Sequence, residues 1–247
     1  MTKKTSQRTL IVPCYNEASR LDTGAWTAVA KAGLLRLIFV DDGSSDATFE
    51  VLGAIERSAP EAVRVVRLPK NVGKGEAVRV GLTVAMNAGD ELVGYADADL
   101  ATPPEEVLRL FEALAEAPHL VAVIGSRINY LGTNIRRRPS RHYLGRVFAT
   151  AAATALGREI YDTQCGAKVF RTGPLLAAAL SLPFVSRWAF DVELLGRIFD
   201  GSPTRATVAE LPLRTWTHVG GSKLHPIAMV KATTDLVRIA LRRRIKR

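Results

Sequence analysis

LLRLIFVDDGSSDATFEVL (residues 34–52) holds one complete unit of a wound sheet. Residues 34–40 read as a buried strand, with no polar side chain from Leu37 to Val40. The chain then turns through Asp41-Asp42-Gly43-Ser44-Ser45-Asp46 and enters a predicted helix over 47–58. Working outward, the same alternation recurs on both sides. Strands are expected over 8–12 (ended by Pro13), 63–68, 91–96 and 120–124, and helices over 17–32, 76–87 and 105–117. The last helix opens with Thr102-Pro103-Pro104 as cap and first turn, and Glu105 and Glu106 suit its positive end. Alternating strands and helices predict an α/β, Rossmann-like, mainly parallel sheet with helices on both faces.

Ligands of such sheets bind beyond the carboxyl ends of the strands. Four polar loops gather there: Tyr15-Asn16-Glu17, residues 41–46, Asn71-Val72-Gly73-Lys74-Gly75, and Asp97-Ala98-Asp99. On a strand end, alternation points Asp97 and Asp99 the same way, so they could share a hard divalent cation, Mg²⁺ or Mn²⁺. The bland alternative is an acidic loop that caps the next helix. Asp42 could accept from ribose hydroxyls or a base N–H, whereas Asp46 could be only a helix cap. Residues 71–75 suit close backbone approach by a ligand. They are neither a GxxxxGK[ST] loop nor a dinucleotide fingerprint, which would follow the first strand.

The second half is less regular. Residues 128–141 read as an exposed basic loop, 147–156 as a buried helix, and 188–199 as an amphipathic helix. A terminal helix is expected from His225, with Ile227, Val230, Thr234, Val237, Leu241 and Ile245 on one stripe. No internal repeat or linker interrupts the 247 residues, so a single domain, 1–247, is expected.

Composition excludes several classes. With 47% hydrophobic and 23% charged residues the chain is neither collagen-like, low-complexity nor disordered. Two cysteines, Cys14 and Cys165, cannot form a disulfide framework, and a cytoplasmic setting is expected. The net charge of +10 is localised: residues 117–158 hold seven arginines and residues 236–247 six basic residues, neither stretch containing an acid. That pattern predicts a surface for a polyanion. No stretch approaches the roughly 20 apolar residues that span a bilayer. His119, His142, His218 and His225 show no metal-ligand spacing, and Cys165 reads as a small buried thiol. Trp26 and Trp216 read as core or rim residues.

The motifs PCYNEASRL, FVDDGSSDAT, LPKNVGKGEAV and YADADLATPP resemble, in order and spacing, the family 2 inverting glycosyltransferases of the GT-A fold. In the second half, Ser126-Arg127, DTQCGAKVF (162–170), RWAFDVELL (187–195) and GGSKLHP (220–226) resemble the dolichyl-phosphate β-glucosyltransferases, relatives of the dolichyl-phosphate mannose synthases. The resemblance covers about residues 8–240. It implies a nucleotide-sugar half over about 8–126, an acceptor half over about 127–224 and a basic amphipathic C-terminal helix over about 225–247. It further implies that Pro13, Tyr15 and Glu17 line the nucleotide pocket, and that Asp42, with Asp41 behind it, meets base and ribose. Lys74 would lie near the nucleotide, Asp97 would face the nucleotide sugar, and Asp99 would bind the metal. Arg127 and Lys168 would meet phosphate oxygens, and Gln164 the sugar or the acceptor. Ala101 stands where mannose synthases often carry a glutamine, which favours the glucosyl branch. The N-terminal membrane anchor of the eukaryotic enzymes is not expected here.

The expected activity is inverting, metal-dependent transfer of a hexose, foremost glucose from UDP-glucose, to a polyprenyl phosphate at the cytosolic face of a membrane. GDP-mannose or another UDP-sugar is the alternative donor, and a non-catalytic nucleotide-binding regulator the alternative class. Asp191 lies where a general base could stand. A phosphate acceptor needs none, because its second pKa is about 6. Asp191 is therefore expected to support, and Arg127, Arg141, Arg146 and Lys168 to hold the acceptor phosphate. The basic loop and terminal helix suit an anionic membrane surface. No nucleic-acid recognition motif accompanies the charge.

Overall fold

The computed structural model describes residues 8–136, 139–187, 189–202, 204, 207–219, 234–236 and 238–241, with residues 139–147 described in backbone only. A seven-stranded sheet forms the middle layer. Its order is β3 (Val63–Arg67), β2 (Arg36–Asp41), β1 (Arg8–Cys14), β4 (Leu92–Tyr95), β7 (Lys168–Arg171), β5 (Ala122–Ser126) and β8 (Val208–Pro212). All neighbouring pairs are parallel except those made by β7, which runs against both β4 and β5. The mainly parallel α/β expectation therefore holds, with an inserted antiparallel strand, β7, and an edge strand, β8, that the sequence pattern does not reveal.

Helices cover both faces because their apolar residues recur at helical spacing. In α4 (Pro104–Glu116), Val107, Leu110, Phe111 and Leu114 are buried on one stripe against β1, β2 and β7 residues such as Leu10, Phe39 and Val169. On the opposite face α3 (Lys74–Asn87) buries Ala77, Val78, Leu82 and Ala85 with Ile11, Val40 and Tyr95. The remaining helices are α1 (Thr23–Lys31), α2 (Thr48–Ser58), α5 (Pro139–Leu156), α6 (Pro174–Leu180) and α7 (Phe190–Gly201).

Several boundaries differ from expectation. Strand β1 does not stop at Pro13 but pairs with β2 through Cys14. Pairing with β4 already ends at Ile11, so the β4 side of Pro13 is open and its missing N–H breaks no ladder there. Helix α1 starts at Thr23 rather than at Glu17, because the Asp22 carboxylate caps Ala25 N–H. Pro103, not Thr102, is the N-cap of α4, and no side chain caps it. The segment expected as an exposed loop, 128–141, contains β6 (Asn134–Arg136) and the start of α5. Strand β6 pairs with β9 (Thr215–Thr217) in a separate two-stranded sheet.

Residues 234–236 and 238–241 are helical. Leu236 and Ile239 are buried with Ala152, Leu156, Val192 and Phe199, while Thr234 and Leu241 face outward. The stripe expected from the sequence is thus turned away from the core where it is described. GGSKLHP, Trp188, Ile227, Val230, Val237 and Ile245 lie outside the described residues. Among the described residues no helix is long and apolar enough to cross a membrane.

Candidate active site

Strand register brings the polar loops together. Cys14 pairs with Asp41 and Asp41 with Arg67, so β1, β2 and β3 end level. Tyr95 pairs with Ile11 on one side and with Lys168 on the other, which delivers 97–99 beside the end of β1. Because β7 is antiparallel, its first residue, rather than its last, sits at this edge. The preceding motif, residues 162–167, therefore lies among the loops of the parallel strands.

Loops 15–18 and 41–48 are sewn together by side chains bonded to backbone. Asn16 adopts φ +52°; its N–H donates to Ser44 Oγ at 3.0 Å, and its Oδ1 accepts Ser45 N–H at 2.9 Å. Thr48 Oγ1 accepts the N–H groups of Glu17 and Ala18 at 2.8 and 3.1 Å. Asp46 accepts Thr48 N–H at 3.0 Å and Ala18 N–H at 3.3 Å, a purely structural task. Pro13, Tyr15 and Glu17 remain half-buried at the mouth, where Glu17 meets Arg20 at 3.5 Å.

Asp41 is fully buried; it accepts Ser44 N–H at 3.0 Å and lies 3.3 Å from Arg67 Nε. Asp42 departs from its expected contact with base and ribose. Its Oδ1 accepts Val72 N–H at 2.8 Å, and its Oδ2 accepts Gly73 N–H at 2.9 Å and Asn71 Nδ2 at 3.0 Å. Its carboxylate is spent on shaping the glycine-rich loop. Burial pushes its pKa up, against the lowering pull of those N–H groups. Arg187, to which the sequence assigns no role, donates to Asn71 Oδ1 from across the cleft.

Asp97 and Asp99 occupy the expected edge. Trp26, buried in the core, donates its indole N–H to the Ala98 carbonyl at 3.0 Å and so fixes the loop between them. Asp99 Oδ1 accepts Ala101 N–H at 3.0 Å, and the Ala101 carbonyl in turn accepts Thr217 N–H of β9 at 3.0 Å. Asp97 pairs with Lys74, the first residue of α3. It also packs on Gly166, where a Cβ would fall 2.7 Å from Asp97 Cγ; only glycine admits the carboxylate. Desolvation raises the Asp99 pKa, and the neighbouring Asp97 charge raises it further. For Lys74, desolvation lowers the pKa, but Asp97, Asp191 and Asp99 outweigh it and leave it raised.

This oxygen-only pair, with its carboxylates in mutual repulsion, fits a hard divalent cation of the Mg²⁺ or Mn²⁺ kind. Among the described residues no third acid, histidine or cysteine joins it. Ligand phosphate oxygens and water would have to complete the shell.

The other side of the cleft, expected to take the acceptor, is built from buried ions. Lys168 is fully buried; its Nζ donates to Asp191 Oδ1 and to the Cys165 carbonyl, each at 2.6 Å. Tyr95 O–H donates to the same Asp191 oxygen, and burial with Asp191 pushes the phenol well up. Lys168 therefore does not reach out for an acceptor phosphate, as expected from the sequence, but neutralises Asp191. Burial lifts the Cys165 thiol to about 11, in keeping with an inert residue.

Arg127 leaves β5 and is gripped by Asp162, Nε to Oδ2 at 2.7 Å and Nη2 to Oδ1 at 2.8 Å. Its guanidinium lies 5.3 Å from the Trp216 ring. Burial opposes its charge, but Asp162 wins and raises its pKa. Asp162 and Tyr161 are held in turn through their N–H groups by Glu210, at 2.9 and 2.7 Å. The side-chain nitrogen of Gln164, Thr163 Oγ1 and Ser126 Oγ are buried with no partner among the described residues. The side chains of Arg141 and Arg146, expected to face the acceptor, lie outside the described residues; both positions fall on α5.

Asp162, Tyr95 and Arg187 are the working residues that sequence reasoning leaves without a role. All three stand inside the motifs that carry the family resemblance, Tyr95 as the first residue of YADADLATPP.

The model of the family described as Glycosyl transferase family 2 matches residues 9–176. The dolichyl-phosphate beta-glucosyltransferase of Homo sapiens is 34% identical over 96% of this chain and 76% of its own length. That of Drosophila melanogaster is 37% identical over 88% of this chain and 69% of its own. Among solved structures, the glucosyl-3-phosphoglycerate synthase from Mycobacterium tuberculosis in complex with Mn²⁺, uridine diphosphate and glucosyl-3-phosphoglycerate superposes with a TM-score of 0.69. That match has 21% identity and covers 96% of this chain and 80% of the other.

Proposed function

The chain belongs to glycosyl transferase family 2, and from that premise we propose that it transfers glucose from UDP-glucose, with inversion, to the phosphate of a polyprenyl phosphate. The names of its relatives support the glucosyl donor and the dolichyl-phosphate type of acceptor. One structural observation favours a phosphate over a hydroxyl acceptor. Asp191, the carboxylate placed where a base could stand, is buried and neutralised by Lys168 and Tyr95. Drawing a proton onto it would break a buried ion pair.

A phosphate acceptor asks for no such proton. With a second pKa of about 6 it is mostly dianionic at neutral pH. An acceptor phosphate oxygen forms the bond to the anomeric carbon, the bond from that carbon to the UDP oxygen breaks, and no proton moves. Tyr15 and Glu17 line the nucleotide mouth, Lys74 holds Asp97 in place, and the Gln164 side-chain nitrogen, without a partner among the described residues, bonds the incoming sugar or phosphate. Arg127, oriented by Asp162, supplies the cation that aligns the acceptor. A divalent cation on Asp97 and Asp99 would neutralise charge developing on the diphosphate.

The test supplies the purified protein with radiolabelled UDP-glucose or GDP-mannose and with polyprenyl phosphate or the free polyprenol. Labelled lipid from UDP-glucose and polyprenyl phosphate is expected, with a rate that falls below pH ~6 as the acceptor gains its proton. Preference for GDP-mannose would replace the donor. Labelling of the free polyprenol would refute the phosphate acceptor.

A further inference from the structure

The connection from β5 to β6 starts at Arg127 and carries two large apolar side chains outward. Leu131 is 99% exposed and Tyr130 52%. Exposed apolar residues are ordinary on any surface, so exposure alone decides nothing. Here, however, the backbone holds them out. Thr133 N–H donates to the Tyr130 carbonyl at 3.1 Å, Tyr130 N–H donates to Thr133 Oγ1 at 3.1 Å, and that hydroxyl donates back to the Tyr130 carbonyl at 2.8 Å. Gly132 supplies the φ of +91° that the third position of a type II turn requires. Leu131 stands at the apex.

The turn is tied to the acidic loop. Asn134 N–H donates to the Arg214 carbonyl at 2.7 Å, β6 pairs with β9, and Thr217 N–H reaches Ala101, two residues past Asp99. The surrounding chain is cationic. Arg136 is exposed on β6, Arg137, Arg138 and Arg141 follow in sequence, and no acid occurs from residue 117 to 158. Two side chains are far too little for a stable protein interface, which buries at least ~1,200 Å². They are enough to enter a bilayer surface.

We infer that the Tyr130–Leu131 turn is an anchor for an anionic bilayer. Leu131 enters the boundary of the acyl chains, Tyr130 rests at headgroup depth with its hydroxyl in water, and the arginines meet lipid phosphates. The inference rests on the lipid-linked acceptor proposed above. It adds a geometric consequence: Arg127, four residues from the apex, is held at the depth of a lipid phosphate.

The test places a polarity-sensitive dye on Leu131→Cys in the full chain; Cys14 and Cys165 are buried, so the new thiol takes the label. Phosphatidylcholine vesicles with and without phosphatidylserine are the probe. A blue shift, quenched by brominated lipid and weakened by salt, is expected on the anionic vesicles. Leu131→Asp should lower vesicle affinity by about tenfold or more, as loss of one buried leucine implies. Its affinity for UDP-glucose should stay unchanged. An unshifted dye, or equal vesicle binding by wild type and Leu131→Asp, overturns the anchor. So does a concentration-dependent self-association that Leu131→Asp abolishes, which would make the turn a contact between copies. Transfer to polyprenyl phosphate with an unshifted dye sinks the anchor alone; a shifted dye without transfer sinks the acceptor alone.

Discussion

The two halves of the cleft satisfy their buried carboxylates in opposite ways. On the proposed nucleotide side Asp42 is held by N–H groups, and Asp41, though beside Arg67, accepts Ser44 N–H. On the proposed acceptor side every such carboxylate has a cation: Asp162 holds Arg127, Asp191 holds Lys168, and Glu193 holds Arg197 besides accepting Val185 N–H. Lys74 and Asp97 join the halves. A carboxylate held by amides keeps its shape through the backbone and needs no partner charge. A buried ion pair is only as good as its second member, and removing one partner costs about 3–5 kcal/mol. The proposed nucleotide side is therefore expected to tolerate single substitutions better than the proposed acceptor side.

The largest effect is expected for Lys168→Met, which leaves the buried Asp191 carboxylate without its countercharge, with Tyr95 O–H as a remaining donor. Urea denaturation should show a loss of about 3–5 kcal/mol, and Lys168→Met/Asp191→Leu should recover a large part of it. If the single substitution costs no more than a change at Asp42, the contrast between the halves fails. Next comes Asp99→Asn, a functional rather than structural lesion. Transfer should fall at least ~10²-fold, ~2.7 kcal/mol of barrier, while the midpoint of unfolding moves little. Excess EDTA should likewise abolish transfer in wild type, and full activity in EDTA would remove the cation from Asp97 and Asp99.

Asp42→Ala tests the amide-held side. It strands Val72 and Gly73 N–H and should cost about 1–3 kcal/mol, with a raised KM for the nucleotide sugar because the glycine-rich loop loosens. An unchanged KM would separate that loop from the donor. The smallest effect is expected for Trp26→Phe, which keeps the packing against Phe39 but loses the bond to the Ala98 carbonyl. About 1 kcal/mol of stability and a modest rise in the cation concentration needed for half activity should follow. A lowered cation requirement would contradict its role in holding the acidic loop.

The nucleotide side is largely legible in the sequence, and the acceptor side is not. The apolar cores of β1, β2 and β4 run into acid-bearing turns, and Val107, Leu110, Phe111 and Leu114 recur at helical spacing in α4. Strand β7 is only four residues, Lys168–Arg171, and has a charge at each end, which resembles neither a buried strand nor an alternating one. Lys168 reads as a phosphate cation for the same reason: its burial depends on Asp191, 23 residues away, which no local pattern reports. Asp42 suits base and ribose on paper because a carboxylate after a strand fits both tasks. Only the positions of the N–H groups of 72 and 73 distinguish them. Cys165 and Trp26 are buried as their sequence context suggests, since a thiol without a basic neighbour in sequence and a tryptophan on an apolar helix face carry their environment in their own chemistry.

The reversed strand at the centre of the sheet has a consequence for how the chain is made. During synthesis β1 to β5 emerge first, in chain order, yet β4 and β5 cannot be joined until the residues of β7 arrive to lie between them. Until then a nascent chain carries an open edge on β4 and a β5 without either sheet partner, the exposure that invites mispairing. The last strand to enter between them is flanked by the residues that complete the site, Asp162 and Gly166 before it and Asp191 after it. A nascent chain halted before residue 168 holds the loops after β1 to β4 but neither β7 nor β8, so the cleft is completed only as the last strands of the sheet pair.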